Sequence, residues 1–115
     1  MSKTIFDLIK IIKNRKNKNS NNSYTFFLLR SGKAYCLKKF KEETLELIEA
    51  LKSNKRKNII HESADVIYHF LILLELKNIN INLVFKELEK RKKMSGIDEK
   101  KSRLKKSKVK VKQDV

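Results

Sequence analysis

The chain has 115 residues, enough for one domain with a single core. Its 29 Lys and Arg against 13 Asp and Glu leave a net charge of +16, yet 40% hydrophobic residues are too many for outright disorder. With no proline and two glycines, an all-β sandwich lacks its turn residues, and one cysteine builds neither an internal disulfide nor a cysteine-rich zinc site.

Residues 4–13 predict a helix, because Ile5, Leu8, Ile9 and Ile12 recur on one stripe. The basic, asparagine-rich stretch 14–22 reads as a loop. Ser23 offers an N-cap for a short helix through Phe26, Phe27 and Leu29, ending near Gly32. Residues 34–51 predict a strong helix with Leu37, Phe40, Leu47, Ile48 and Leu51 as its apolar stripe, and Cys36 reads as a small buried residue. A polar break over 53–57 leads to a helix over 58–76, where Ile59, Ile60, Val66, Ile67, Phe70, Leu71 and Leu74 spread around the axis. A turn over 78–82 precedes a last amphipathic helix over 83–93. After Gly96 the chain is nearly all charged.

Short links favour antiparallel neighbours, so the expected fold class is all-α, an antiparallel bundle of four to five helices. The bundle occupies residues 1–95, and 96–115 form a basic, partly flexible tail. A helix apolar on most sides belongs at a bundle centre or an interface. One bundle of this size covers it poorly, so a homodimer is expected. The longest apolar run, 66–76, contains His69 and Glu75 and falls short of the ~20 residues of a membrane span. The N-terminus has no small-residue cleavage pattern, so a cytoplasmic protein is expected.

The charge is uneven. Residues 1–41 carry +10, 42–89 carry −3 and 90–115 carry +9. Clustered cations suit a nucleic-acid binder. Lys, Ile and Asn are enriched together, however, at 24, 12 and 10 residues, which favours compositional drift over selection for phosphate contacts. Basic ends also suit a polyanionic small substrate drawn to an acidic centre.

That centre holds Glu42, Glu43, Glu46 and Glu49 on one helix and Glu62 and Asp65 on the next. Steps of three residues return to nearly the same helix face, so each helix can present a carboxylate pair. At 100° per residue, Glu43 and Glu46 border the arc of Phe40 and Leu47 rather than opposing it. On the second helix Glu62 and Asp65 share a face with His69 and Leu73. In an antiparallel hairpin centred near Lys55 the two pairs lie within about one or two helical turns of each other. Four carboxylates at a half-buried seam repel unless cations sit between them. Hard oxygen ligands without cysteine favour Mg²⁺, with Mn²⁺ as a second choice. The competing reading is a solvated acidic face with lysine partners, which is preferred for Glu49. A carboxylate di-iron bundle needs two Glu-x-x-His motifs, and the chain has none. His69 reads as a core or seam histidine.

These residues resemble the phosphoribosyl-ATP pyrophosphatase family of histidine biosynthesis, within the MazG-like all-α nucleotide pyrophosphohydrolases. The resemblance runs from Ser23-Tyr24-Thr25, Leu28 and Gly32 through Lys39 and Glu42-Glu43-x-x-Glu46. It continues in Glu62-x-Ala64-Asp65 leading into Tyr68-His69, and ends in a segment from Ser95-Gly96-Ile97 to Arg103. Lys41 stands where the family usually has glycine, and residues 104–115 are an additional basic extension.

The resemblance implies hydrolysis of phosphoribosyl-ATP to phosphoribosyl-AMP and pyrophosphate. It implies Glu43, Glu46, Glu62 and Asp65 as ligands of a divalent metal, with Glu42 and Glu43 as the catalytic carboxylates. Glu42 either orients a ligand or takes a proton. Lys39 either meets a substrate phosphate or pairs with Glu43. Ser23 and Thr25 either cap a helix or touch substrate, and Tyr24 lines a base pocket. Arg103 and Lys100 close over phosphates if the tail folds back. Two alternatives stand beside this reading: a housecleaning nucleoside triphosphate pyrophosphohydrolase with another base pocket, and a non-enzymatic basic protein for nucleic acid, in which an acidic seam has no purpose.

Overall fold

The computed structural model describes residues 2–16, 23–92 and 103–104. Among them are five α-helices and no strand: α1 (Ser2–Lys16), α2 (Tyr24–Ser31), α3 (Lys33–Ser53), α4 (Arg56–Leu76) and α5 (Ile81–Lys92). The all-α expectation holds. The stretch 17–22, Lys100 and nearly all of the expected tail lie outside the described residues.

Two compact units divide the chain, Met1–Asn80 and Ile81–Val115. The first contains α1 to α4. The second contains α5, whose Glu87–Arg91 and Glu89–Lys92 pairs follow its surface at 3.3 and 3.2 Å.

Local chemistry sets the helix ends. Ser23 Oγ accepts from the Phe26 N–H at 3.1 Å, so one orphan donor of α2 is satisfied by its own cap. Gly32 separates α2 from α3 with φ of +90°, a conformation that L side chains rarely adopt. Asn54 ends α3 in the left-handed region, at φ 61°, and its N–H reaches the Ala50 carbonyl at 3.0 Å. Only Asn54 and Lys55 separate α3 from α4, so the expected break over 53–57 contracts to two residues.

That short link makes α3 and α4 an antiparallel hairpin, which is the backbone of the first unit. Leu28, Cys36, Leu71 and Ile72 are buried from α2, α3 and α4, and Ile12 adds α1 to the same core. Cys36 is buried as expected, and its thiol donates to the Leu28 carbonyl at 3.0 Å.

Two expectations need correction. The loop does not begin at residue 14, because Asn14 to Lys16 continue α1. The extra turn carries Lys16 beside Lys13, and both ammonium groups reach the buried Glu75 of α4, at 3.3 and 2.8 Å. The apolar stripe of α3 is also rotated from the one read by sequence. Cys36 and Ala50 are buried, whereas Leu37, Ile48 and Leu51 are about half exposed. Phe40 and Leu47 of that stripe are half-buried, Phe40 against Phe70 of α4 with ring centroids 6.4 Å apart, while Leu37, Ile48 and Leu51 face outward.

Candidate active site

Counting from Asn54 explains which carboxylates meet. Glu46 precedes it by eight residues and Glu62 follows it by eight; Glu43 and Asp65 are each eleven away. In an antiparallel hairpin equal separations lie at equal heights. Accordingly, ligand oxygens of Glu43, Glu46 and Glu62 all lie within 4.8 Å of one another. A second group, His61, Glu62 and Asp65, is equally tight, so Glu62 belongs to both.

The electrostatics of this cluster are adverse. Burial pushes the Glu43 carboxyl above the ordinary carboxylate range, and Glu46 and Asp65 push it further, while His69 opposes. Burial also raises Glu62, again aided by Glu46 and opposed by His61. Glu46 is within hydrogen-bonding reach of both neighbours, and a bond between two carboxyls needs a shared proton. Even so, Glu43 Oε2 and Glu62 Oε1 are buried without a partner. Acceptor oxygens packed this closely fit a hard divalent cation, which satisfies lone pairs and cancels repulsion together.

Glu42 does not join either group. Lys39 Nζ holds it at 3.2 Å, three residues apart on α3, so the ion pair forms one residue before the Glu43 named from sequence. That ammonium also lies 6.0 Å from the Tyr35 ring centroid. Glu49 pairs with Lys52 on the exposed surface, as expected of a solvated face.

An aromatic cluster adjoins the carboxylates. Tyr24 stacks on Phe27 and Tyr68 with centroids 6.2 and 6.4 Å apart and meets the His69 ring edge-on at 6.2 Å. Tyr24 and Phe27 are about half exposed, so the cluster offers an open flat surface. Burial raises the Tyr24 phenol and Lys39 opposes that shift, with Glu43 also in range. Ser23 is occupied as the α2 cap. Thr25 does not cap; its hydroxyl hydrogen-bonds the Tyr68 hydroxyl and ties α2 to α4. Beside Glu46 and Glu62 at the hairpin end lies an open cleft of about 490 Å³, also bordered by Ser53, Lys55 and Asn58. Arg103 is exposed in the second unit.

Sequence reasoning passed over His61. Its Nε2 lies 3.3 Å from Asp65 Oδ2, and the four-residue spacing on one helix was the available signal. Tyr35 was also missed; only its place four residues before Lys39 pointed to it.

The family model described as phosphoribosyl-ATP pyrophosphohydrolase matches residues 5–92. The match takes in α1, where the motif reading began only at Ser23, and stops short of the Ser95–Arg103 segment. A phosphoribosyl-ATP pyrophosphatase of Bradyrhizobium diazoefficiens is 44% identical over 100 residues, covering 87% of this chain and 94% of that protein. One from Dechloromonas aromatica is 45% identical over 96 residues, covering 84% and 89%. A histidine biosynthesis bifunctional protein of Buchnera aphidicola is 44% identical over 82 residues, which are 71% of this chain and 40% of that longer protein. With most of its length matched, and the carboxylates of α3 and α4 facing each other, the chain belongs to the phosphoribosyl-ATP pyrophosphohydrolase family.

Proposed function

We propose that this chain hydrolyses phosphoribosyl-ATP to phosphoribosyl-AMP and pyrophosphate in histidine biosynthesis. The observation that carries the reading is the convergence of Glu43, Glu46 and Glu62 within 4.8 Å, two of them with buried, unpartnered oxygens. Glu43, Glu46, Glu62 and Asp65 would hold Mg²⁺, or Mn²⁺ in its place, and the chemistry it would supply there is neutralisation of phosphate charge and a lowered pKa of water.

The protein groups divide the remaining work. Water attacks the α-phosphorus, and the bond from that phosphorus to the α–β bridging oxygen breaks. Pyrophosphate departs with that oxygen, and the proton of the attacking water passes to a carboxylate of the Glu42–Glu43 pair. Lys39 exchanges its resting partner Glu42 for a substrate phosphate, as a point charge. The half-exposed Tyr24 and Phe27 receive the purine. Ser23 bounds that end of the site through the α2 cap. Residues 1–95 form the pyrophosphohydrolase domain and 96–115 its basic tail.

Among the described residues no helix is long and apolar enough to cross a membrane. A water-soluble substrate suits a cytoplasmic enzyme with neither membrane nor nucleic acid as partner. The chain works as a homodimer. Leu37, Leu45, Ile48 and Leu51 are about half exposed within an arc of about 120° on α3. Covering such side chains contributes up to about 1.5–3 kcal/mol each. Sedimentation that finds only a 13.6 kDa species removes the dimer.

Glu43→Gln and Asp65→Asn test the ligand set. Each abolishes turnover while far-UV circular dichroism stays helical. Activity retained in both contradicts the assignment.

A further inference from the structure

His69 is 5% exposed, and its ring is committed at one nitrogen only. Nδ1 lies 2.9 Å from the carbonyl oxygen of Asp65, one turn earlier on α4. A carbonyl oxygen can only accept, so Nδ1 carries the proton. In the neutral ring Nε2 is then a bare acceptor, and it is buried with no partner. The aromatic neighbours do not supply one. Tyr24 and Tyr68 meet the His69 ring edge-to-face, and the Tyr68 hydroxyl is engaged with Thr25. His69 follows Asp65 by one turn and shares a face of α4 with Glu62 and Asp65; across the hairpin Glu43, as far from Asn54 as Asp65 is, has its Oε2 likewise buried and unpartnered.

Two buried acceptors about one helical turn apart along the α3–α4 seam call for a donor that serves both. A bare divalent ion satisfies the carboxylate, and His69 is absent from the tight ligand groups. A hydrated ion satisfies both, because its waters present polarised O–H groups outward. We propose that His69 Nε2 accepts a hydrogen bond from the hydrated divalent cation held at Glu43, making His69 a positioning residue of the metal site. The inference rests on the metal-dependent reading above. It gives the backbone bond at Nδ1 a purpose: that bond fixes the tautomer and aims the lone pair, as outer partners do for ligands around metals generally.

The probe is Mn²⁺ alone, titrated into the full chain with free ion followed by electron paramagnetic resonance. His69→Phe keeps a ring against Tyr24 and Tyr68 but removes the acceptor. It weakens Mn²⁺ binding by about 10-fold or more with helicity unchanged. His69→Gln retains one donor and one acceptor, and binds closer to the wild type than to the phenylalanine variant. In the wild type, ¹⁵N NMR at alkaline pH shows the Nε2 resonance moving in the direction of hydrogen-bond acceptance when Mg²⁺ is added, with the proton still on Nδ1. This second measurement decides the matter even if the phenylalanine variant misfolds. Unchanged Mn²⁺ affinity in a folded His69→Phe, or an Nε2 resonance unmoved by saturating Mg²⁺, overturns the proposal alone. Wild-type protein that binds no Mn²⁺ overturns the metal reading and the proposal together.

Discussion

Replacing Lys13 and Lys16 by methionine, singly and together, isolates the ion pair that ties α1 to α4. Glu75 is 8% exposed, and each carboxylate oxygen has its own ammonium, Lys13 at 2.8 Å and Lys16 at 3.3 Å. The lysine side chains are 60% and 39% exposed, so only the acid is expensive to desolvate. A charge-assisted hydrogen bond is worth roughly 1.5–3 kcal/mol when shielded, and exposure of the ammonium reduces Lys13→Met to about 1 kcal/mol. Removing both lysines leaves a buried carboxylate without a counter-ion. Fully buried pairs broken this way cost about 3–5 kcal/mol, and the open lysine side lowers the estimate to about 2–3 kcal/mol. The double substitution therefore costs more than the two singles together. Glu75→Gln, which removes the buried charge itself, costs less than the double substitution. Urea denaturation at neutral pH compares the wild type, these four variants and the lysine substitutions made in the Glu75→Gln background. A double substitution within about 0.5 kcal/mol of wild type, or lysine effects of the same size in the Glu75→Gln background, refutes the pairing.

The same acid and the metal-site acids give opposite pH dependences. Burial works to raise Glu75, but Lys13 and Lys16 hold it below the usual carboxylate range, so its stabilisation is present above about pH 4.5 and is lost as pH falls through its folded value. Glu43 and Glu62 are raised by burial and by each other's neighbours, so they favour the folded state in acid and oppose it as pH rises through their folded values. Glu62→Gln consequently raises the melting temperature of metal-free protein at neutral pH and removes the further rise on adding Mg²⁺; a lower melting temperature than wild type contradicts the adverse cluster. Ser23→Ala costs about 1 kcal/mol by loss of the α2 cap, read by chemical denaturation, and no loss means that the Phe26 N–H finds another acceptor. Ile48→Glu on the exposed arc of α3 leaves the fold of one chain intact and shifts sedimentation toward the monomer.

Much of this was legible locally. Apolar periodicity located all five helices, and Ser23, Gly32 and the polar residues around Asn54 marked their ends. The carboxylate pairs were legible because both rest on three-residue steps and on a hairpin whose link is short. What escaped depends on distant partners. Nothing near Asn14 announces that α1 continues, since its last turn is held by a glutamate 59 residues beyond Lys16. Thr25 looked like a capping residue because its partner, Tyr68, lies on another helix. The α3 stripe was misjudged because hydrophobicity names large side chains, whereas close hairpin packing selected the small Cys36 and Ala50.

Pyrophosphate release from phosphoribosyl-ATP, with and without Mg²⁺ and beside a panel of nucleoside triphosphates, tests the central claim most directly. Metal-dependent turnover of phosphoribosyl-ATP, with the triphosphates left intact, is the predicted result. Turnover of the triphosphates with phosphoribosyl-ATP ignored, or turnover unaffected by removing the metal, contradicts it.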